Sequence, residues 1–433
     1  MLYSYLSVNE QGHLTIAGHD STALAEEYGT ALFVMNVDKL EENCRVYVDT
    51  LRDCFGDRAM PLFASKSLSF TGIYSLINRF GMGTDIVSCG ELYTAKKAGF
   101  PLEKAFFHGN NKTDSDIHFA MESGIGYFVV DNEDELSRLS AIAKSRGIKQ
   151  KILLRIAPGI DPHTHKAVQT GGVDSKFGKA IATGQAYDIV KEALSFDSIE
   201  LCGFHCHIGS QIFECEPFSD AAVIMLNFIA EVKARYGYEA DMLNLGGGFG
   251  VRYVESDPEI NIENNIRKVA DTVKAHCQKL GISLPYILME PGRSIVANTT
   301  VTLYTVGSVK EIPGFRNFVS VDGGMADNPR YALYQSAYTV LNASRANDPA
   351  DYLCTVAGRC CESGDLIQED VKMAKPQRGD LIAVLTTGAY NYAMASNYNR
   401  LPRPAILMVG KNVKKLAVKR ETFEDLCHLD LDV

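Results

Sequence analysis

Short apolar runs recur along the chain, each followed by a longer stretch whose apolar residues return every three to four positions. The runs fall at 60–64, 84–87, 105–108, 127–130, 152–156, 201–207, 242–245 and 286–289. Between them the spacing predicts helices at 91–98, 114–122, 133–145, 186–194, 221–236 and 262–280, with another at 37–54 ahead of the first run. In 262–280, Ile262, Ile266, Val269, Val273 and Cys277 form one helical face. Alternation of strand and helix implies a parallel sheet, and eight units over about 230 residues suggest a closed (β/α)8 barrel. A doubly wound open sheet competes, although it usually stops at about five to seven strands.

After Ser294 the pattern changes. T-V-T-L-Y-T-V (300–306), F-V-S-V-D (318–322) and L-I-A-V-L (381–385) are short, β-branched and separated by Gly and Pro, with no strong amphipathic helix until near the C-terminus. This predicts a C-terminal antiparallel β-domain. The opening residues, with L-T-I-A at 14–17, are expected to add a strand to it. The expected division is therefore 1–30 joining the β-domain, 31–294 the barrel, and 295–433 the β-domain.

Composition narrows the function classes. Apolar residues make up 46% and charged residues 22%, which is ordinary for a globular protein. A net charge of −10 with no Lys/Arg block argues against nucleic acid as a partner. The eleven cysteines lack paired metal spacing, no basic leader precedes an apolar core, and no run approaches membrane-spanning length. The expectation is a reduced, cytoplasmic protein without a membrane partner.

The unusual residues collect at predicted strand ends, where a parallel barrel gathers its chemistry. Strand one ends in F-A-S-K-S, where Lys66 is either a solvated strand end or a buried amine put to use. Strand six ends in H-C-H-I-G-S (205–210), strand seven in G-G-G-F-G (246–250) and strand eight in E-P-G-R (290–293). Gly246, Gly247 and Gly248 expose backbone N–H groups suited to a phosphate, and Gly292 and Arg293 add another N–H and a forked cation. His205 and His207, two apart, are expected to share a strand face. They could be half of a metal site, but no third ligand pattern is evident, and an imidazole lying over an aromatic ring is the stronger option. A lysine amine, a phosphate cradle, a ring-stacking group and one acid together describe a pyridoxal 5'-phosphate site.

At this point the chain resembles the barrel-type pyridoxal-phosphate-dependent decarboxylases, a family with an alanine racemase-like fold. The likeness rests on F-A-S-K-S (63–67), D-I-V-S-C-G-E-L (85–92), H-C-H-I-G-S-Q (205–211), G-G-G-F-G (246–250) and M-E-P-G-R (289–293). It continues through V-D-G-G-M-A-D-N-P-R-Y-A-L-Y (321–334), C-C-E-S-G-D (360–365) and G-A-Y-N-Y-A-M-A-S-N-Y-N (388–399). The resemblance implies that Lys66 carries the cofactor, His207 stacks on its ring, and Glu290 keeps the ring nitrogen protonated. Ser210, Gly246, Gly247, Gly248, Gly292 and Arg293 would hold the phosphate, with Tyr390 closing the cofactor site. Arg293, Arg330 and Tyr334 would grip the substrate's distal carboxylate and Glu362 its distal ammonium, with Tyr390 also among the substrate-binding residues. Cys361 would protonate the carbon that loses CO₂. In the family, the residues matching Cys361 and Glu362 come from the second subunit, which implies an obligate homodimer with shared sites.

The implied reaction is meso-2,6-diaminopimelate to L-lysine and CO₂, at the D-configured centre. Related racemases place an arginine at the ring nitrogen, so Glu290 favours decarboxylation. Ornithine has no distal carboxylate for Arg330 to hold. Two departures from the family pattern exist: Tyr331 stands where proline is frequent, and Ser67-Leu68 follow the lysine. The competing readings are a decarboxylase of another diamino acid (D-lysine, D-ornithine or carboxynorspermidine), a non-catalytic relative, and a cofactor-carrying barrel without chemistry.

Overall fold

Eight parallel strands close on themselves in the computed structural model, which describes residues 3–160 and 175–431. They are Ala59–Ala64, Gly83–Ile86, Ala105–Phe107, Tyr127–Val130, Gln150–Ala157, Ile199–His205, Met242–Asn244 and Tyr286–Met289. Each pairs with the next, and Tyr286–Met289 pairs with Ala59–Ala64 to complete the barrel. The open-sheet alternative is thereby excluded. A two-residue strand, Lys179–Ala180, pairs in parallel with the last two residues of Gln150–Ala157 and was not expected.

The barrel interior is filled rather than hollow. Leu62, Phe106, Val129, Leu153 and Leu288 form a buried layer, with Met60, Tyr127, Met242 and Tyr286 packed against it. The Phe106 and Tyr127 rings stack at 4.4 Å. Gly203 is required by this closeness, because a Cβ there would lie 1.9 Å from the Met242 carbonyl oxygen.

Around the strands run the expected helices. Ile262–Leu280 starts where the Asn261 side chain accepts from Asn264 N–H, and it stops at Gly281, whose φ of +64° suits glycine. It buries Ile266, Val269, Ala270, Val273 and Cys277, largely the face that the spacing predicts. Full burial of each larger apolar side chain contributes about 1.5–3 kcal/mol, so a charged residue at Val273 would break the packing. Helix Glu216–Tyr236 begins five residues earlier than the pattern suggests, since Pro217 is well accommodated in a first turn. Helix Thr71–Arg79 was not anticipated.

The chain divides into two compact units, 44–250 with 260–294, and 1–43 with 251–259 and 295–433. The second differs from expectation in three respects. Leu32–Asn36, grouped with the barrel by sequence, is a central strand here, between Thr300–Ile312 and Ala405–Gly410, with all five residues buried. Burial on both faces removes the alternation that would have marked it as a sheet strand. The sheet is also mixed: Leu32–Asn36 with Ala405–Gly410 and Arg316–Val321 with Tyr352–Ala357 are parallel, the other pairings antiparallel. Finally, Leu14–Ile16 joins Leu6–Val8 and His19–Asp20 in a separate three-stranded sheet. Its Leu6, Leu14 and Ile16 still share one core with Leu32, Val34, Val301 and Leu407.

Candidate active site

The C-terminal ends of the barrel strands carry polar groups that would be costly inside it. The first strand ends at Ala64, whose N–H donates to the Pro291 carbonyl at 3.0 Å, knitting strand one to the segment after strand eight. A tight turn, Ser65–Ser67, follows. Ser65 N–H donates to Asp85 Oδ1 at 2.9 Å and Ser67 Oγ to the Ala64 carbonyl at 2.7 Å. Lys66 is exposed between these two buried serines. Burial therefore does not single out this amine; its neighbours do. Lys66 acts electrostatically on Asp85, Glu91, His205 and His207.

Glu290 is contacted by three side chains of the rim. It is buried, and Asn244 Nδ2 donates to its Oε1 at 2.7 Å. His205 Nε2 lies 3.1 Å from Oε2, and His108 Nε2 lies 2.9 Å from Oε1 with its N–H off the line between them. The His205 contact is thus a hydrogen bond and the His108 contact chiefly electrostatic. Burial alone would raise the Glu290 carboxyl, but the two imidazoles outweigh it and hold the group well below the carboxylate range. Asp85 goes the other way: burial and the Glu290 charge push it well up, against the pull of Lys66. The two nearby acids are driven in opposite directions. Burial also pushes the His108 ring down to about 4 and, with Lys66 opposing its charge, His207 well below its usual range.

The glycine run is shaped by close approach. A Cβ at Gly246 would lie 2.5 Å from the Cys206 carbonyl and 2.9 Å from His207 Nδ1. One at Gly247 would lie 2.0 Å from the Glu290 carbonyl, and one at Gly248 2.5 Å from that of Gly209. At Gly292 it would meet Ala64 Cβ at 2.7 Å. Arg293 is buried and donates to Ser210 Oγ from Nε and Nη2 at 3.2 and 3.1 Å. Lys66, His207, Ser210, Gly246, Gly247, Gly248, Glu290, Gly292 and Arg293 therefore all belong to one barrel rim.

The expected pairing of histidines changes. The strand ends at His205, so alternation does not carry His207 onto its face. His205 instead meets His108, ring centroids 4.8 Å apart, across Glu290. His108, Asn244 and Asp85 lie in the predicted strand runs 105–108, 242–245 and 84–87, but the sequence reading gave them no role. His108, His205 and Glu290 bring ligand-type atoms within 4.8 Å of one another, with the carboxylate engaging both imidazoles.

The other expected residues lie in the β-rich unit. Arg330 is buried; its Nη1 donates to Tyr338 Oη at 2.9 Å and its Nη2 to Ser336 Oγ at 3.1 Å. Its guanidinium lies 5.2 Å from the Tyr253 ring centroid. Arg330 opens and Tyr334, half-buried, closes a short helix, Arg330–Tyr334, and Tyr390 is half-buried. Cys361 and Glu362 are exposed on a turn that buried Asp365 ties down by accepting from Cys360 and Met325 N–H, both at 2.6 Å. Glu362 Oε2 accepts from Tyr398 Oη at 2.9 Å.

A lysine on the rim, a glycine cradle with no room for side chains, and a buried ionised acid held by imidazoles fit pyridoxal phosphate. Such a rim on an eight-stranded barrel defines a class of pyridoxal enzymes. The family profile described as "Pyridoxal-dependent decarboxylase, pyridoxal binding domain" matches residues 37–297, and the chain belongs to this family. Among its curated relatives, the diaminopimelate decarboxylase of Bacillus subtilis is 44% identical over 98% of this chain and 96% of its own length. That of Halalkalibacterium halodurans is 45% identical over the same shares. Among solved structures, diaminopimelate decarboxylase from M. jannaschii superposes with a TM-score of 0.91 at 32% identity, covering 99% of this chain and 98% of that one. That enzyme has also been crystallised in complex with L-lysine.

Proposed function

We propose that the chain binds pyridoxal phosphate and decarboxylates meso-2,6-diaminopimelate to L-lysine and CO₂. The observation that carries this reading is the convergence of Lys66, His207, the 246–248 glycines, Glu290 and Arg293 on one barrel rim. The full-length likeness to diaminopimelate decarboxylases supports the choice of substrate.

Pyridoxal phosphate, when bound, supplies a protonated ring that accepts the electron pair left by departing CO₂. Lys66 would bond to its aldehyde carbon, and Ser210, the 246–248 amides, Gly292 and Arg293 would hold its phosphate. His207 would pack on the ring face. Glu290, ionised, would accept from the ring N–H and keep that proton in place. Cys361 would give its proton to the carbon that loses CO₂. Arg293, Arg330 and Tyr334 would bind the distal carboxylate, Glu362 the distal ammonium, and Tyr390 would close the cofactor site.

Exposure of Cys361 and Glu362 supports a role at the site of a second copy in a homodimer. All eleven cysteines are free, and this supports a reducing, cytoplasmic location. No described helix is long and apolar enough to cross a membrane.

The test is release of lysine and CO₂ from meso-diaminopimelate, with D-lysine, D-ornithine and carboxynorspermidine as comparators. Borohydride should trap the cofactor on Lys66, and Lys66→Ala should lose that adduct. Preference for a comparator would replace the substrate; an adduct at another lysine would replace Lys66.

A further inference from the structure

Three adjacent barrel strands deliver His205, Asn244 and Glu290 to one point. His205 is the register partner of Asn244, and Asn244 of Leu288. Glu290 follows directly on the end of that third strand at Met289, and its contacts bring its carboxylate to both neighbours. Asn244 Nδ2 holds Oε1 at 2.7 Å and His205 Nε2 meets Oε2 at 3.1 Å. Which nitrogen of His205 carries the proton follows from its other side. Nδ1 is buried with no hydrogen-bond partner. A proton there would bury an unpaired N–H donor, whereas an unpaired lone pair is less costly. The ring is therefore neutral with its proton on Nε2, donating to a carboxylate.

We infer that His205 is a positioning residue for Glu290, a neutral Nε2–H donor that keeps the carboxylate ionised and fixed in place. An ionised carboxylate has about four acceptor sites. Asn244 and His205 occupy two, and His108 crowds a third from 2.9 Å. Acceptor capacity remains for one further donor. That this donor is the ring N–H of the cofactor rests on the function proposed above; the His205–Glu290 relationship does not. Lys66, Asp85, Asp131, Arg155, Cys206 and His207 are further ionisable groups that interact with the cluster. Burial holds the His205 ring below its ordinary range, which agrees with a neutral donor.

The experiment uses the full-length protein, both with cofactor and after its removal. Nitrogen-15 NMR of labelled histidine should show His205, assigned by its loss in His205→Gln, as the neutral Nε2–H form from about pH 5.5 to 8, below and above the ordinary histidine pKa. A charged ring or the Nδ1–H form would overturn the inference. Carbon-13 carboxyl NMR, assigned with Glu290→Gln, then follows Glu290 itself in the cofactor-free protein. Its protonation midpoint should rise by about one pH unit or more in His205→Leu and return toward the parent in His205→Gln, whose amide also donates. An unmoved midpoint in folded His205→Leu would equally overturn it. If His205→Leu does not fold, the nitrogen-15 measurement decides alone. Failure of the proposed function appears separately, as no CO₂ from diaminopimelate, and leaves both NMR results unchanged.

Discussion

Gly247 and Glu290 are so close that a Cβ at position 247 would lie 2.0 Å from the Glu290 carbonyl oxygen. The glycine run and the buried acid are thus parts of one backbone arrangement.

Gly247→Ala should therefore fail by displacement of the acid as well as of the cradle. Overpacking of this kind costs about 1–3 kcal/mol. Urea unfolding should show that loss, and cofactor titration followed by its visible absorbance should show weakened binding. Unchanged cofactor affinity in a destabilised variant would separate the two parts.

Glu290→Gln keeps the shape and removes the charge. Turnover should fall about 10²-fold or more, the scale for a positioned group that acts in the transition state. Cofactor content, measured after gel filtration, should remain. Near-parent turnover would remove Glu290 from the chemistry.

Cys361 tests the shared site. A two-fold interface is reciprocal, so a loop serving the neighbour's barrel implies two composite sites. Lys66→Ala and Cys361→Ala proteins should each be nearly inactive. Random mixing makes about half the dimers hybrids, each with one intact site, and so restores roughly a quarter of parent activity. Native mass spectrometry of tagged chains would verify exchange. Hybrids with no regained activity would place Cys361 outside its neighbour's site.

Asp327 sets a pH dependence in the β-rich unit. It is buried beside the fully buried Tyr304, whose hydroxyl donates to it, and burial pushes its carboxyl from 3.8 up to about 7. A folded pKa above the unfolded one stabilises below the unfolded value, and that contribution is lost as pH rises through the folded one. A shift of this size is worth about 4 kcal/mol. Asp327→Asn keeps an acceptor for Tyr304 and removes the titration. Its stability relative to the parent should climb by up to about that amount from pH 4 to pH 8 in urea unfolding. A difference that does not vary with pH would refute the assignment.

The eight barrel strands and most of their helices were legible from the chain, because each is a local pattern. An apolar run and a helical stripe such as Ile266–Val269–Val273 need no distant partner to be recognised. The rim residues Lys66, His207 and the 246–248 glycines were legible for the same reason, standing at strand ends next to unusual neighbours. What tertiary structure alone decided are relationships between strands. Leu32–Asn36 shows no alternation, so only its pairing with Thr300–Ile312 and Ala405–Gly410 places it in the β-rich sheet. His205 was paired with His207 by spacing, but the end of the strand at His205 and the barrel's closure bring it to His108 and Glu290 instead. The ionisation of Glu290 was likewise beyond the sequence. It depends on donors contributed by residues 205 and 244 and on the imidazole of residue 108 beside them, with burial acting against all three.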